Sequence, residues 1–420
     1  MAQLTRRGLV GAFADAKISY KNALFLNITG RNDWSSTLPK DNRSFFYPGI
    51  NLSYVFTELH NISNHFLSYG KLRLSASQVG KDASPYKNGP YFNSASGFPF
   101  GSIPGFVLDR ELSDPNLKPE RTTAYEGGLE LRLFDSKVGF DATVYTQESK
   151  EQIIRVPVAS PSGYDIYTTN AGTIKNTGVE LVANAAILRN RNIKWNINAN
   201  WSTNHSKVKA IKEGINEIVF STSDGRIVNK LVPGGSAADL YGRKFKRAAD
   251  GQLFINASGF PEINQAFVKA GNAFPDWIGS IGSDISWKGF SLSALMEFKK
   301  GGDVYDVGLR NGIRNGTLQI TENRYQEIIF NGVKADGTVN TTKVYLDDAF
   351  YRNENFFNGA ADVLLQDASW LRLRNVTLSY DISKSVLAKT KFIKGASITA
   401  SANNFILWTP YVGYLSLIHI

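Results

Sequence analysis

Trp195-Asn196-Ile197-Asn198-Ala199-Asn200-Trp201 sets an apolar residue against an asparagine at every step. Side chains of a β-strand point alternately to its two faces, so this stretch has one greasy face and one wet face. Leu72, Leu74 and Ala76 likewise lie opposite Lys71, Arg73, Ser75 and Ser77. Tyr125, Leu129, Leu131 and Leu133 oppose Glu126, Glu130 and Arg132, while Val138, Phe140, Ala142 and Val144 oppose Gly139, Asp141, Thr143 and Tyr145. The short link Phe134-Asp135-Ser136-Lys137 between them predicts a hairpin. Trp277, Ile281, Ile285 and Trp287 oppose Ser280, Asp284 and Ser286, and beyond Lys288-Gly289 come Phe290, Leu292, Ala294, Met296 and Phe298, a second hairpin. Further two-faced runs cover Tyr20 to Ile28, Ile50 to Phe56, Val179 to Ile187 and Ala396 to Ala402. Leu371 and Leu373 share a face but Val376, Leu378 and Tyr380 fall on the other, which predicts a bulge near Asn375. The segments approach the length a tilted strand needs to cross a bilayer. The reading is an all-β fold, part of an antiparallel transmembrane β-barrel.

Composition agrees with that class. Mean hydropathy is -0.22, and no apolar run reaches the roughly 18 residues of a spanning helix. A barrel gives only every second residue to lipid, so a polar average is compatible with membrane insertion. Aromatics make up 12% of the 420 residues, and many sit near strand ends, among them Phe45, Phe46, Tyr54, Phe56, Trp195, Trp201, Trp277, Trp287, Trp370 and Trp408. Interfacial girdles have that distribution, as do ordinary aromatic-rich sheets. The formal charge of +10 does not indicate nucleic acid, because Lys and Arg are scattered with no basic run or groove-entering helix. Cysteine is absent, as in many envelope proteins that fold without disulfides. Arg6 and Arg7 precede Leu9-Val10-Gly11-Ala12-Phe13-Ala14, but Asp15 and Lys17 interrupt the apolar run, so no signal peptide is read here.

A set of motifs in order resembles the SusC/RagA-like TonB-dependent transporters. It runs from Arg31-Asn32-Asp33-Trp34-Ser35-Ser36 and Asn42-Arg43-Ser44-Phe45-Phe46-Tyr47-Pro48-Gly49 to Asp114-Pro115-Asn116-Leu117-Lys118-Pro119-Glu120-Arg121-Thr122. Asn170-Ala171-Gly172 with Asn176-Thr177-Gly178-Val179-Glu180-Leu181, Gly271-Asn272 with Pro275-Asp276-Trp277, and Ala368-Ser369-Trp370-Leu371-Arg372-Leu373-Arg374-Asn375-Val376 complete it. The resemblance implies a 22-stranded barrel with an N-terminal plug, in the outer membrane and against its lipid. It further implies energy from the TonB complex, a SusD-like surface lipoprotein as partner, and oligosaccharides or peptides as cargo. On this reading residues 1–414 are a partial barrel and the plug domain is absent. Residues 415–420 (Leu415-Ser416-Leu417-Ile418-His419-Ile420) replace the family's acidic ending and read as a non-native or truncated tail.

The motifs read mostly as structure. Asp114-Pro115 and Lys118-Pro119 restrict φ and lead rigidly into the strand at Tyr125. Gly172 and Gly178 are expected to flank a turn in which Asn170 and Asn176 take positive φ or bond their own backbone. No catalytic, metal or cofactor residues are assigned, and an enzyme is not expected. His60, His65, His205 and His419 have no ligand-spaced partners. Gly234-Gly235-Ser236 lacks the lysine of a phosphate loop, Asp250-Gly251 and Asp336-Gly337 read as turns, and Asp347-Asp348 lacks a calcium-loop series.

Two long segments, Lys81 to Leu112 and Val304 to Phe357, are rich in aromatics and read as irregular loops. Tyr86, Tyr91, Phe92, Tyr345 and Tyr351 are the candidates for substrate contact, since aromatic faces stack on sugars and apolar side chains. Such loops either bind nutrient or a lid protein, or pack on one another. The alternative function is a secreted or surface all-β carbohydrate-binding protein without transport. It should show shorter strands at a regular repeat, and none is visible in the sequence.

Overall fold

The computed structural model describes residues 5–87, 89, 91–222, 224–353, 357–388 and 392–411. The tail at 415–420 lies outside them. Twelve long strands make one antiparallel sheet in chain order. They are β1 Leu9–Tyr20, β2 Leu24–Ser35, β3 Ser44–Val55, β4 Leu67–Lys81, β5 Glu120–Leu133, β6 Val138–Lys150, β7 Gly172–Arg189, β8 Ile193–Ile211, β9 Pro275–Trp287, β10 Phe290–Gly301, β11 Trp370–Asp381 and β12 Ser397–Trp408. The shortest have 12 residues, roughly 40 Å of strand at 3.3 Å per residue, enough to cross the ~25 Å apolar band at a 45° tilt. Among the described residues no helix is long and apolar enough to cross a membrane, and a barrel crosses with strands. The chain divides into two compact units, Met1–Val219 with Leu231–Ala237, and Phe220–Lys230 with Ala238–Ile420.

The first unit holds β1 to β8. Its register makes rows that run across all eight strands. Ile18, Leu26, Leu52, Leu74, Gly127, Val144, Val179 and Thr203 form one row, and Lys17, Asn27, Asn51, Ser75, Glu126, Tyr145, Gly178 and Asn204 the next. Adjacent rows point to opposite faces, so one face is apolar and the other wet. Trp195, Ile197, Ala199 and Trp201 take the apolar side against Leu188, Ala185, Ala183 and Leu181. Asn196, Asn198 and Asn200 are exposed on the wet one.

Tight turns close three hairpins at one end of this unit. Lys21 and Asn22 both have φ of 50°, and Phe134, Asp135 and Ser136 are also left-handed, the backbone twist that suits a two-strand ribbon. Between β7 and β8 the Asn190 side chain accepts from the backbone N–H of Asn192 (2.9 Å) and Ile193 (2.8 Å). Alternating strand direction places the longer connections, 36–43, 82–119 and 151–171, at the other end.

Two expectations change here. The run Tyr20 to Ile28 is not one strand, because the turn at 21–23 divides it, and β1 begins at Leu9 where no strand was read. The middle of the apolar side of β1 is alanine (Ala12, Ala14, Ala16), too small to register as alternation. Gly172 and Gly178 do not flank a turn; both lie within β7. Neither Asn170 nor Asn176 has positive φ. Gly178 is required by close approach, since a Cβ there would lie 2.4 Å from the Tyr145 ring and 2.5 Å from the Thr203 carbonyl oxygen.

The second unit carries β9 to β12. Lys288 and Gly289 form the expected hairpin with φ of 46° and 91°. Ile281, Met296, Leu373 and Ile406 align on the apolar face, and Ser286, Ser291, Ser379 and Thr399 form a hydroxyl row on the wet one. The register shifts between Leu373 and Asn375 against both neighbours, so Arg374 is the extra residue of the expected bulge. The segment 304–357 is less irregular than its sequence implied. It contains a helix, Val307–Asn315, capped by Asp306 and ended by Gly316 at φ 65°, which packs Ile313 against Leu346, Phe350 and Tyr351.

Candidate functional site

At the long-connection end of the first unit, the motif residues tie loops to strands. Asp33 accepts from Arg31 Nε (2.8 Å) and from the Tyr47 hydroxyl. Asp82 gathers Arg7 (2.7 Å), Thr37 (2.9 Å) and Ser35. Leu117, in the middle of the double-proline motif, is fully buried with Leu38, Phe45 and Ala83. The Asn170 side chain accepts from Lys118 N (2.8 Å) and donates to the carbonyls of Lys118 (2.9 Å) and Glu151 (2.8 Å), so it staples two connections together. These are positioning residues, and their polar side chains are consumed by the scaffold.

A three-stranded sheet, Ile153–Pro157, Ile166–Asn170 and Glu111–Ser113, stands on this base. Its hub is the buried Glu111, which meets Lys87 Nζ (2.5 Å), Arg155 Nη2 (3.1 Å) and the Thr168 hydroxyl. Burial alone would push its carboxyl up, but hydrogen bonds from Lys87 and Thr168 and the nearby cations outweigh it and hold the group below its ordinary range. Asp114 is held low in the same way, chiefly by Thr169 against the cost of burial. A depressed folded pKa lends stability above the unfolded value and loses it as pH falls through the folded one. The protection factors of amides 111–114 and 166–170, taken against the intrinsic exchange rate at each pH, are therefore expected to fall once pH drops below roughly 4. Unchanged protection factors between pH 5 and pH 3 would contradict this.

The candidate aromatics of the first unit ride on that platform. Tyr86 has φ of 64°, its hydroxyl accepts from the Arg6 backbone N–H (3.1 Å), and its ring centroid lies 6.3 Å from that of Tyr91. The Tyr91 hydroxyl is hydrogen-bonded to Asp109, which together with burial pushes it up to about 12. Lys87 Nζ lies 5.9 Å from the Tyr91 ring centroid. Phe92 opens a hairpin in which Phe92–Ser94 pairs with Phe106–Leu108. Its outer surface is apolar: Phe92 is 69% exposed, Phe100 77% and Phe106 68%. Phe100 and Phe106 belong with the candidates, and their place on one hairpin was not readable from spacing.

In the second unit the two candidates separate. Tyr345 is exposed, on the short strand pair Glu327–Ile328 with Val344–Tyr345. Tyr351 is only 4% exposed, with Phe350 and Phe357 rings at 5.1 and 5.9 Å. It fills the core and offers no open face. Asp347 caps the helix Asp348–Arg352 by accepting from Phe350 N (2.9 Å). A polar cluster that the sequence did not reveal joins Asp224 to Tyr305 (2.5 Å), Arg226 (3.2 Å) and Arg310 (3.0 Å). Burial raises both acids' pKa values, but the Tyr305 hydrogen bond and the two cations bring Asp224 below its ordinary range, while Tyr305 stays raised.

The wet face of the first unit carries a cross-strand ion network. Lys71 meets Glu130 (3.0 Å), Arg73 makes two bonds to Asp141 (2.7 and 2.6 Å), and Arg132 meets Glu130 (3.1 Å). Tyr145 donates to Asn204 (3.1 Å) across Gly178 in the same row.

A sheet of spanning length with one apolar and one ion-paired face, and elaborated loops at one end, has the form of a transmembrane β-barrel wall. Residues 3–405 match the family described as TonB dependent receptor-like, beta-barrel, and the chain belongs to that family of outer-membrane transport receptors. The TonB-dependent receptor SusC of Bacteroides thetaiotaomicron is 23% identical over 98% of this chain and 42% of its own length. TonB-dependent receptor P3 of Formosa agariphila is 22% identical over 98% and 42%. The RagAB peptide importer in its open-open state superposes with a TM-score of 0.76 at 19% identity, covering 97% of this chain and 44% of that one. The chain thus spans about two fifths of the length of the relatives it matches.

Proposed function

We propose that this chain forms part of the wall and outer loop platform of an active transporter that imports oligosaccharides or peptides across the outer membrane. The carrying observation is the register, which makes one face continuously apolar and the other continuously wet over strands of spanning length. On this reading the TonB complex supplies the energy and a SusD-like lipoprotein covers the loop end. The named relatives support that reading: one is called SusC and another neighbour is a peptide importer. Deleting the gene is expected to abolish uptake of one labelled class, oligosaccharide or peptide, and collapsing the proton gradient should abolish the same uptake in the parent strain. Unchanged uptake of both classes in the deletion strain overturns the proposal.

The exposed hairpin carrying Phe100 and Phe106 is the part of the first unit best suited to contact the lipoprotein. Buried aromatic anchors at interfaces are each worth about 2 kcal/mol or more. Phe100→Ser with Phe106→Ser is therefore expected to reduce co-purification of the lipoprotein by well over about tenfold, with the heat-modifiable gel shift of the barrel unchanged. Full co-purification would remove the hairpin from the interface.

A further inference from the structure

The apolar face of the first unit is not smooth, and it carries a depression midway along its strands. Ile50, Leu52, Leu74, Ala76, Tyr125 and Val144 surround a groove of about 530 Å³ with Gly127 at its floor. A Cβ on Gly127 would stand 3.7 Å from Leu74 Cδ2 and 3.8 Å from Val144 Cγ2, ordinary contact, so the floor is open and the glycine is not demanded by crowding. The groove is a gap left between larger neighbours.

Its depth in the membrane follows from its place on the strands. Gly127 is in the middle of β5, as are Ile50, Leu74 and Val144 in β3, β4 and β6. Six residues separate it from the turn end at Leu133, about 20 Å of strand, or roughly 14 Å of depth at a 45° tilt in a hydrocarbon core about 30 Å thick. That is close to the midplane, where acyl chains end. Headgroups and water do not reach it.

We propose that this groove is a binding site for the methyl-terminal part of one fatty acyl chain of an outer-membrane lipid. The inference rests on the membrane reading given above. Lipid tails are as apolar as leucine, so burial as such supplies no driving force. The preference comes from filling a gap whose walls otherwise lack contact atoms on one side. Selectivity is therefore for a slender chain, by shape.

The test uses outer-membrane vesicles from cells that make the protein, loaded with a phospholipid bearing a diazirine near the methyl end of one chain. After photolysis, adducts mapped by mass spectrometry are expected on Leu74, Tyr125 and Val144 at about threefold or more the level on Ile18 and Ile28 of the same face, the excess that better packing allows. Gly127→Leu fills the floor and should bring the three sites down to the general level while Ile18 and Ile28 stay as they were. Thr146→Leu, which narrows the rim, gives the same readout if the first variant fails to reach the membrane. Equal labelling along the face, or an excess that survives both substitutions, overturns the site. Cross-links from the groove to another polypeptide, a second copy included, also overturn it. Failure of the membrane reading looks different: no position on the face is labelled and alkaline carbonate releases the protein.

Discussion

The 420-residue chain produced by itself is expected to collect in inclusion bodies and to show no heat-modifiable band on gel electrophoresis. Among the described residues β1 pairs with β2 alone and β12 with β11 alone, so each edge strand presents a row of backbone groups with no strand partner. In a bilayer such groups have no water to satisfy them, and in water they template pairing with another chain. Every residue of β1 is exposed. Phe13, on the wet face opposite Arg31, is 76% exposed, and Ile18 and Val10 are bare on the apolar face. An edge strand with both faces uncovered and no proline is the arrangement natural sheets avoid. Detergent refolding followed by gel electrophoresis with and without heating checks the expectation. A soluble, monodisperse monomer would contradict the membrane reading itself.

The second large effect concerns Gly178. Gly178→Ala places a methyl group against the Tyr145 ring and the Thr203 carbonyl, both about 2.4–2.5 Å from the new atom. Overpacking of this kind costs roughly 1–3 kcal/mol. Moving the ring also breaks its hydrogen bond to Asn204, about 1 kcal/mol more. The temperature at which the folded gel band disappears should fall by several degrees. Gly127→Ala, on the neighbouring row but with open space around it, should leave that temperature within error. Adding Tyr145→Ala to Gly178→Ala should recover part of the loss and not all, because the Thr203 carbonyl stays in place. Equal midpoints for the two alanine variants would show that Tyr145 yields without cost.

The places where sequence reading failed have two causes, weak local contrast and contacts made far along the chain. β1 was missed because alanine on its lipid side carries little alternation. Gly178 was taken for a turn residue because a glycine two residues after an asparagine has that meaning locally, whereas the ring that requires it comes from β6, far along the chain. Tyr351 and Tyr86 are the same residue type in similarly polar, aromatic segments, and only packing buries one and leaves the other open. Asp347, set aside as a cation ligand for want of a calcium-loop series, serves as a helix cap, which the sequence did not indicate. The bulge at Arg374 was legible because it is written as a change of phase, and phase is a local property.

By itself the sequence determined that this is a β-protein with one apolar and one wet face, where most strands lie, the hairpin turns at 134–137 and 288–289, and which family it resembles. All of these follow from side-chain alternation, turn chemistry and short motifs, which act within about a dozen residues of one another. Tertiary structure alone decided which aromatics are exposed, which carboxylates are spent on holding loops, and where the groove over Gly127 opens. Those depend on neighbours brought together by strand pairing across tens of residues, and pairing register is a property of the whole sheet.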